Sequence, residues 1–172
     1  LVALGVALFP NANAEVSDGV VGELIRNFSI VVSLFVGAIT FSGSIVAMAK
    51  LQGWLSTPSW TQSKARHFFN ILCAVIALIG GIYLSIDGQN GLFLIVVASS
   101  LLGIGVTLPI GGADMPVVIS LLNSYSGVAA AAAGFVVESQ LLIVAGAMVG
   151  AAGLILTQVM CDGMNRSLVS VL

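Results

Sequence analysis

With 172 residues, five Lys and Arg and seven Asp and Glu, the chain has too few charges to clothe a soluble domain. Charged residues make up 7% and hydrophobic residues 59%, at a mean hydropathy of +1.16, whereas a soluble domain carries roughly 25% charged residues. Most of the surface therefore meets lipid, a soluble enzyme is set aside, and a net charge of −2 with no basic face excludes nucleic acid as a partner.

Residues 1–10, LVALGVALFP, are apolar but shorter than the roughly 20 residues a bilayer crossing needs, and read as the end of a truncated helix. The polar stretch NANAEVSDG follows. Five complete apolar segments come next, at about 28–50, 68–86, 92–110, 115–137 and 141–160. At about 1.5 Å per residue each reaches across a hydrocarbon core of about 30 Å. They are about twice the length of a barrel strand and do not alternate. The expected fold is an all-α, polytopic transmembrane helix bundle: five spans plus the end of a preceding one.

The basic residues set an orientation. With loop 51–67 on the cytoplasmic or matrix side, Lys50, Lys64, Arg66 and Arg166 share that side and Arg26 alone lies opposite, as the positive-inside rule requires. Glu15, Asp18, Glu23, Asp87 and Glu138 fall on the far side, and Trp54 and Trp60 lie in the cytoplasmic loop near the interface. On the same side residues 161–172 leave the membrane.

Small residues recur on single faces, which lets membrane helices approach closely. Ser33, Gly37, Thr40, Ser44 and Ala47 form such a stripe on the first span, Ser100, Gly103 and Thr107 on the third, and Gly146, Gly150, Gly153 and Thr157 on the fifth. A DGQNG turn separates the second and third spans. The fourth span carries Ser120, Asn123, Gly127, Ala130, Ala131 and Gly134, so its small face contains a strongly polar amide. Asn123 lies eight residues past Met115, about 12 Å into the span. An amide at that depth needs hydrogen-bonding partners or water. It is either interhelical glue or part of a water-lined path, and the residues alone leave both open.

Asp114 precedes this span, with Pro116 in its first turn and a Gly-Gly pair before it. The pattern suits an N-cap after a sharp turn, and it also places a carboxylate at the mouth of a polar helix. His67, the sole histidine, reads as a solvated interfacial residue beside Lys64 and Arg66. Cys73 and Cys161 lack metal-ligand or CxxC spacing and read as reduced, buried thiols. GIGVTL, from Gly103, lies inside an apolar span and is no dinucleotide fingerprint; no Walker A, HExxH or nucleophile elbow occurs. No metal site is expected.

GGADMPVVISLLNSYSG (residues 111–127), followed by AAAAAGF, closely resembles the membrane domain of proton-translocating NAD(P) transhydrogenase, beta-subunit part. FVGAITFSGSIVAMAKLQG (35–53) and LLIVAGAMVGAAG through MNRS (141–167) agree. The resemblance implies a proton-translocating domain over 1–172, coupled to hydride transfer between NAD(H) and NADP(H) on separate soluble domains. It implies proton-path positions at Asn123, Asp114 and Ser120. Asp114, Arg166 and Ser167 would couple to the NADP domain as mouth and hinge. Gly127, Gly134, Gly150 and Gly153 would be packing glycines.

The implied cofactors, NAD and NADP, belong to the whole enzyme, and the chain alone is expected to bind neither and to be inactive. Its implied partners are the lipid bilayer, the NAD-binding and NADP-binding domains, the other membrane subunit and a second copy of the complex as a dimer. The implied location is a bacterial plasma membrane or a mitochondrial inner membrane. The family's channel histidine would lie upstream of Leu1, since His67 sits on the wrong loop, and the NADP fingerprint would follow Leu172. The competing reading is a non-enzymatic helical subunit of a transporter or assembly, in which the polar residues only pack helices.

Overall fold

The computed structural model describes residues 19–55, 65–84 and 88–171. Its regular elements are all helical: α1 (Gly19–Leu51), α2 (Ala65–Leu84), α3 (Gly88–Thr107), a 3-10 turn (Gly112–Asp114), α4 (Met115–Val136), α5 (Gln140–Gly163) and the short α6 (Leu168–Val171). Among the described residues five helices are long and apolar enough to cross a membrane, at Ile25–Leu51, His67–Leu84, Asn90–Thr107, Gly112–Val136 and Gln140–Gly163. In lipid every backbone N–H and C=O must be satisfied within the segment, so apolar runs of this length have no other open architecture available. The expected helix end at residues 1–10, the acids Glu15, Asp18 and Asp87, and Trp60 and Lys64 lie outside the described residues.

The helices pack in the order α2, α3, α1, α4, α5, each against its neighbours in that series. The spans of α1 and α4 are 56% buried, and those of α2 and α5 22%, so α1 and α4 are central and α2 and α5 flank them. One apolar cluster near the first helix's C-terminal end joins Ala47, Ile110, Met115, Val117, Val118, Leu122, Cys161 and Val171. A second, toward the opposite end, joins Ile30, Leu34, Leu84 and Ile95. The first ties the end of α1, the α3–α4 connection, the start of α4, the end of α5 and α6 together. Every element that carries a mouth residue therefore shares one core.

Helix ends follow local chemistry. The third span was expected to run to Ile110, but α3 stops at Thr107: Pro109 disfavours helical dihedrals at the residue before it, and the chain leaves the helix in a turn. At the start of the same helix, Gly88, Gln89 and Asn90 are helical, so the polar DGQNG stretch is drawn partly into α3. α1 ends with Gly53 at φ 74 and bonds from Trp54 N–H to Ala49 C=O and from Gly53 N–H to Lys50 C=O, a left-handed cap that satisfies the last carbonyls.

α5 ends the same way around Asn165 (φ 51), with Arg166 N–H donating to Cys161 C=O and Asn165 N–H to Asp162 C=O. Asparagine tolerates this conformation, which costs other L-residues roughly 1–2 kcal/mol. The cap aims Arg166. Asn165→Val is therefore expected to destabilise the cap by about 1–2 kcal/mol and to displace Arg166, while Asn165→Gly is neutral. Thermal melting of the purified protein checks both.

Candidate functional site

The packing glycines make a seam. α4 and α5 run antiparallel, and a methyl added at Gly127 would stand 2.8 Å from the Gly146 carbonyl oxygen and from Gly150 Cα. One at Gly153 would meet Ser124 Cα at 2.8 Å, and one at Gly134 would meet Ile143 Cγ1 at 2.7 Å. Gly150 differs: its nearest neighbour would be 3.5 Å away, an ordinary contact. Close backbone approach brings hydroxyls to carbonyls across the seam. Ser124 Oγ donates to Gly150 C=O at 2.6 Å, Ser120 Oγ to Gly153 C=O at 3.1 Å, and Thr157 Oγ1 to Ser120 Oγ at 3.0 Å. Ser120, Ser124 and Thr157 are all buried.

Asn123 stands apart from this seam. The sequence put it on one small face with Ser120 and Gly127, yet Ser120 and Gly127 turn into α5 while Asn123 is exposed on another flank. Its amide makes no hydrogen bond to any described residue. One helical step away, Ser126 lines a groove of about 840 Å³ between α1, α3 and α4, together with Thr40, Phe41, Ser44, Met48 and Ser100. The hydroxyls of Thr40, Ser100 and Ser126 are bonded to carbonyls on their own helices, at Gly37, Val96 and Leu122. The stripe on α1 is thus divided as well: Ser33, Gly37, Thr40 and Ala47 are buried, and Ser44 is exposed at the groove.

Asn70, an amide the sequence reading passed over, shows the contrasting case. Its Nδ2 donates to Gly105 C=O at 3.4 Å, where α2 and α3 touch. This is an amide used as glue. Asn123 is an amide with no such partner among the described residues.

At the mouth, Arg166 Nη1 donates to Asp114 Oδ2 at 2.6 Å. Asp114 occupies the N-cap position of α4, but its side chain makes no capping bond. It ends the 3-10 turn with helical dihedrals (φ −91, ψ −3), unlike the extended backbone of a capping residue, and its carboxylate goes to Arg166. The N-cap expectation is corrected here: the position holds and the capping bond does not. Asp114 is 15% exposed and Arg166 54%, so the pair straddles the surface. Beside it Cys161, Asp162, Asn165, Arg166 and Ser167 line a cleft of about 440 Å³. His67 is exposed, and Cys73 and Cys161 are buried free thiols.

Lys50 was read only as one basic residue of the loop side. It is buried, and its ammonium donates to the carbonyl of Leu108 and, at 2.6 Å, to that of Ile110. Its place in the last turn of a helix was the one signal available, and its partners lie some sixty residues away.

The likeness to known proteins covers the whole of this arrangement. The family model described as "NAD(P) transhydrogenase beta subunit" matches residues 1–172. The chain belongs to the NAD(P) transhydrogenase beta-subunit family. Two relatives named "NAD(P) transhydrogenase subunit beta", from Rhodospirillum rubrum and from a strain of that organism, are each 42% identical over 174 residues, covering 100% of this chain and 37% of the relative. The chain spans about a third of the length of these beta subunits. With its five apolar helices, it is an integral membrane member of the family.

Proposed function

We propose that this chain is the proton-translocating membrane portion of an NAD(P) transhydrogenase, coupling proton movement to hydride transfer between NAD(H) and NADP(H) on soluble domains. The observation that carries this reading is Asn123. An unpaired amide at mid-span costs several kcal/mol in hydrocarbon, and none of the described helices covers it. It therefore faces water or a polar partner, and a hydrated flank beside a hydroxyl-bearing groove is what a proton relay needs. Family membership supports the cargo and the coupled reaction assigned here.

In this reading Asn123 orders water on the open flank of α4. Asp114 is the carboxylate that receives or releases the proton at the mouth, and Arg166 holds it. Ser167 follows at the hinge to the NADP-binding domain, and the mouth end faces the cytoplasm or matrix. The state of that domain biases access through the Asp114–Arg166 pair, a gating equilibrium between two arrangements. Ser120, with its hydroxyl engaged by Gly153 and Thr157, holds α4 to α5 and acts on the path by fixing α4's rotation.

In this reading the nucleotides sit on soluble partner domains. GIGV at 103–106 lies within α3, where Gly103 packs against Ile39 and Ser42, leaving no room to cradle a pyrophosphate. NAD and NADP are accordingly assigned to the partner domains, together with the other membrane subunit and a dimeric complex.

Asn123→Leu in the intact enzyme, reconstituted in vesicles, tests the reading. Proton uptake driven by hydride transfer is expected to fall by about tenfold or more, while Asn123→Asp or Asn123→Ser, which still order water, retain a measurable part. Undiminished pumping in the leucine variant removes the proton role.

A further inference from the structure

Lys50 lies in the last turn of α1 yet is only 7% exposed. Its ammonium bonds to the carbonyls of Leu108 and Ile110, which bracket Pro109 in the connection between α3 and the 3-10 turn. Beyond Thr107 the chain has left its helix, so these carbonyls have no intrahelical N–H to accept, and leaving them unmet in a low-polarity setting is costly. A cation beside the C-terminal end of α3 also meets the negative end of that helix's dipole.

The connection is held from its other side too. Asp114 N–H donates to Gly111 C=O, and the Asp114 carboxylate accepts from Arg166. A continuous series of polar contacts therefore runs from α1 through Lys50 to residues 108–111, to Asp114, and on to the residues leading into α6. Ala47, Ile110, Met115, Cys161 and Val171 pack beneath it. The same α1 presents Thr40, Ser44 and Met48 to the groove that Ser126 lines.

We propose that Lys50 is a positioning residue of the coupling device: a strut that fixes the 108–111 connection, so that displacement at the Asp114–Arg166 mouth is transmitted to α1 beside the Asn123 flank. The proposal rests on the proton-translocating reading given above. Lys50 neither binds nucleotide nor carries the transferred proton. It sets where Asp114 stands.

The test uses the intact transhydrogenase in lipid, with Lys50→Met, Lys50→Arg and, as a separate control, Asn123→Leu. In Lys50→Met, hydrogen exchange of the backbone amides at 108–114 is expected to rise about tenfold while the α5 seam at 146–157 stays within about twofold. Protons moved per hydride transferred are expected to fall by at least about fivefold, with hydride transfer in the presence of a protonophore little changed. Lys50→Arg, which keeps charge and donors, restores both readouts. Should Lys50→Met not accumulate in the membrane, Lys50→Gln, neutral with a shorter donor, is read by the same criteria.

Unchanged exchange at 108–114 overturns the strut, and so does loosening of the whole bundle, α5 included. A loosened connection with intact coupling overturns its part in coupling. Intact pumping in Asn123→Leu is a different failure: it removes the proton-path reading, while the exchange data still decide what Lys50 holds.

Discussion

Gly127→Ala is expected to destabilise the bundle by about 3 kcal/mol, at the upper end of what overpacking costs, whereas Gly150→Ala leaves it nearly unchanged. The two glycines sit in the same seam and are both buried, so the contrast comes from what an added methyl meets. At Gly127 it meets backbone of α5, the Gly146 carbonyl and Gly150 Cα, both at 2.8 Å, and neither can step aside without moving the helix. At Gly150 it meets the Ser124 carbonyl and Val128 at 3.5 Å, the distance of an ordinary contact. Pushing α5 away at Gly127 also lengthens the bonds from Ser124 to Gly150 and from Ser120 to Gly153, so hydrogen bonding is lost along with packing. The melting midpoint of the detergent-solubilised protein should drop by about 10 °C for Gly127→Ala and by about 1 °C or less for Gly150→Ala. Equal drops for the two would mean that the seam relaxes as a unit and that its individual close approaches do not govern stability.

The same seam shows where the sequence was readable and where it was not. That lipid solvates the chain follows from composition, because twelve charges cannot clothe a soluble domain, and span number and helical class follow from the number, length and non-alternation of the apolar segments. The stripe of Gly146, Gly150, Gly153 and Thr157 was legible because a four-and-three spacing repeats on one side of a helix whatever it packs against. The fourth span misled, since Ser120, Asn123 and Gly127 obey that spacing too. Residues three apart on a helix differ by about 60° in direction, enough for one to enter an interface and the next to leave it. Which side of the stripe faces α5 depends on the crossing of two helices, and no spacing records that.

Lys50 was illegible for a related reason. Its partners are main-chain carbonyls, and carbonyls leave no trace in residue type. Pro109 marks a place where a helix must open and its acceptors must find a donor elsewhere, but it does not name the donor. The Asp114–Arg166 contact lay between these extremes. Both residues stood out singly as charges at span ends on one side of the membrane. Their meeting required the left-handed turn at Asn165 to bring Arg166 back toward the start of α4.

Reversing one charge of that pair is expected to have a large functional effect, and reversing both to restore the closed mouth. Arg166→Glu sets two carboxylates where a guanidinium now donates to Asp114 at 2.6 Å, and like charges so placed cost several kcal/mol. Coupled transhydrogenation in vesicles should fall by about tenfold or more, since about 1.4 kcal/mol already changes a rate tenfold. Asp114→Arg combined with Arg166→Asp restores the attraction in the opposite sense and should bring the hydrogen-exchange protection of residues 108–114 back to within about fivefold of the original, with the remainder lost to the longer side chain at the less exposed position. Ionic strength adds a second axis. Arg166 is 54% exposed, so its attraction to Asp114 is partly screened, and the difference between the single reversal and the swap should narrow as salt rises from about 0.01 to 1 M. If Asp114 acts only as an electrostatic latch, the swapped protein pumps. If its carboxylate also takes up the proton, the swap recovers the closed mouth, measurable as protection of residues 108–114 from hydrogen exchange, without recovering proton movement. These two results separate holding the gate from passing the proton, and the double reversal is the one variant that tells them apart.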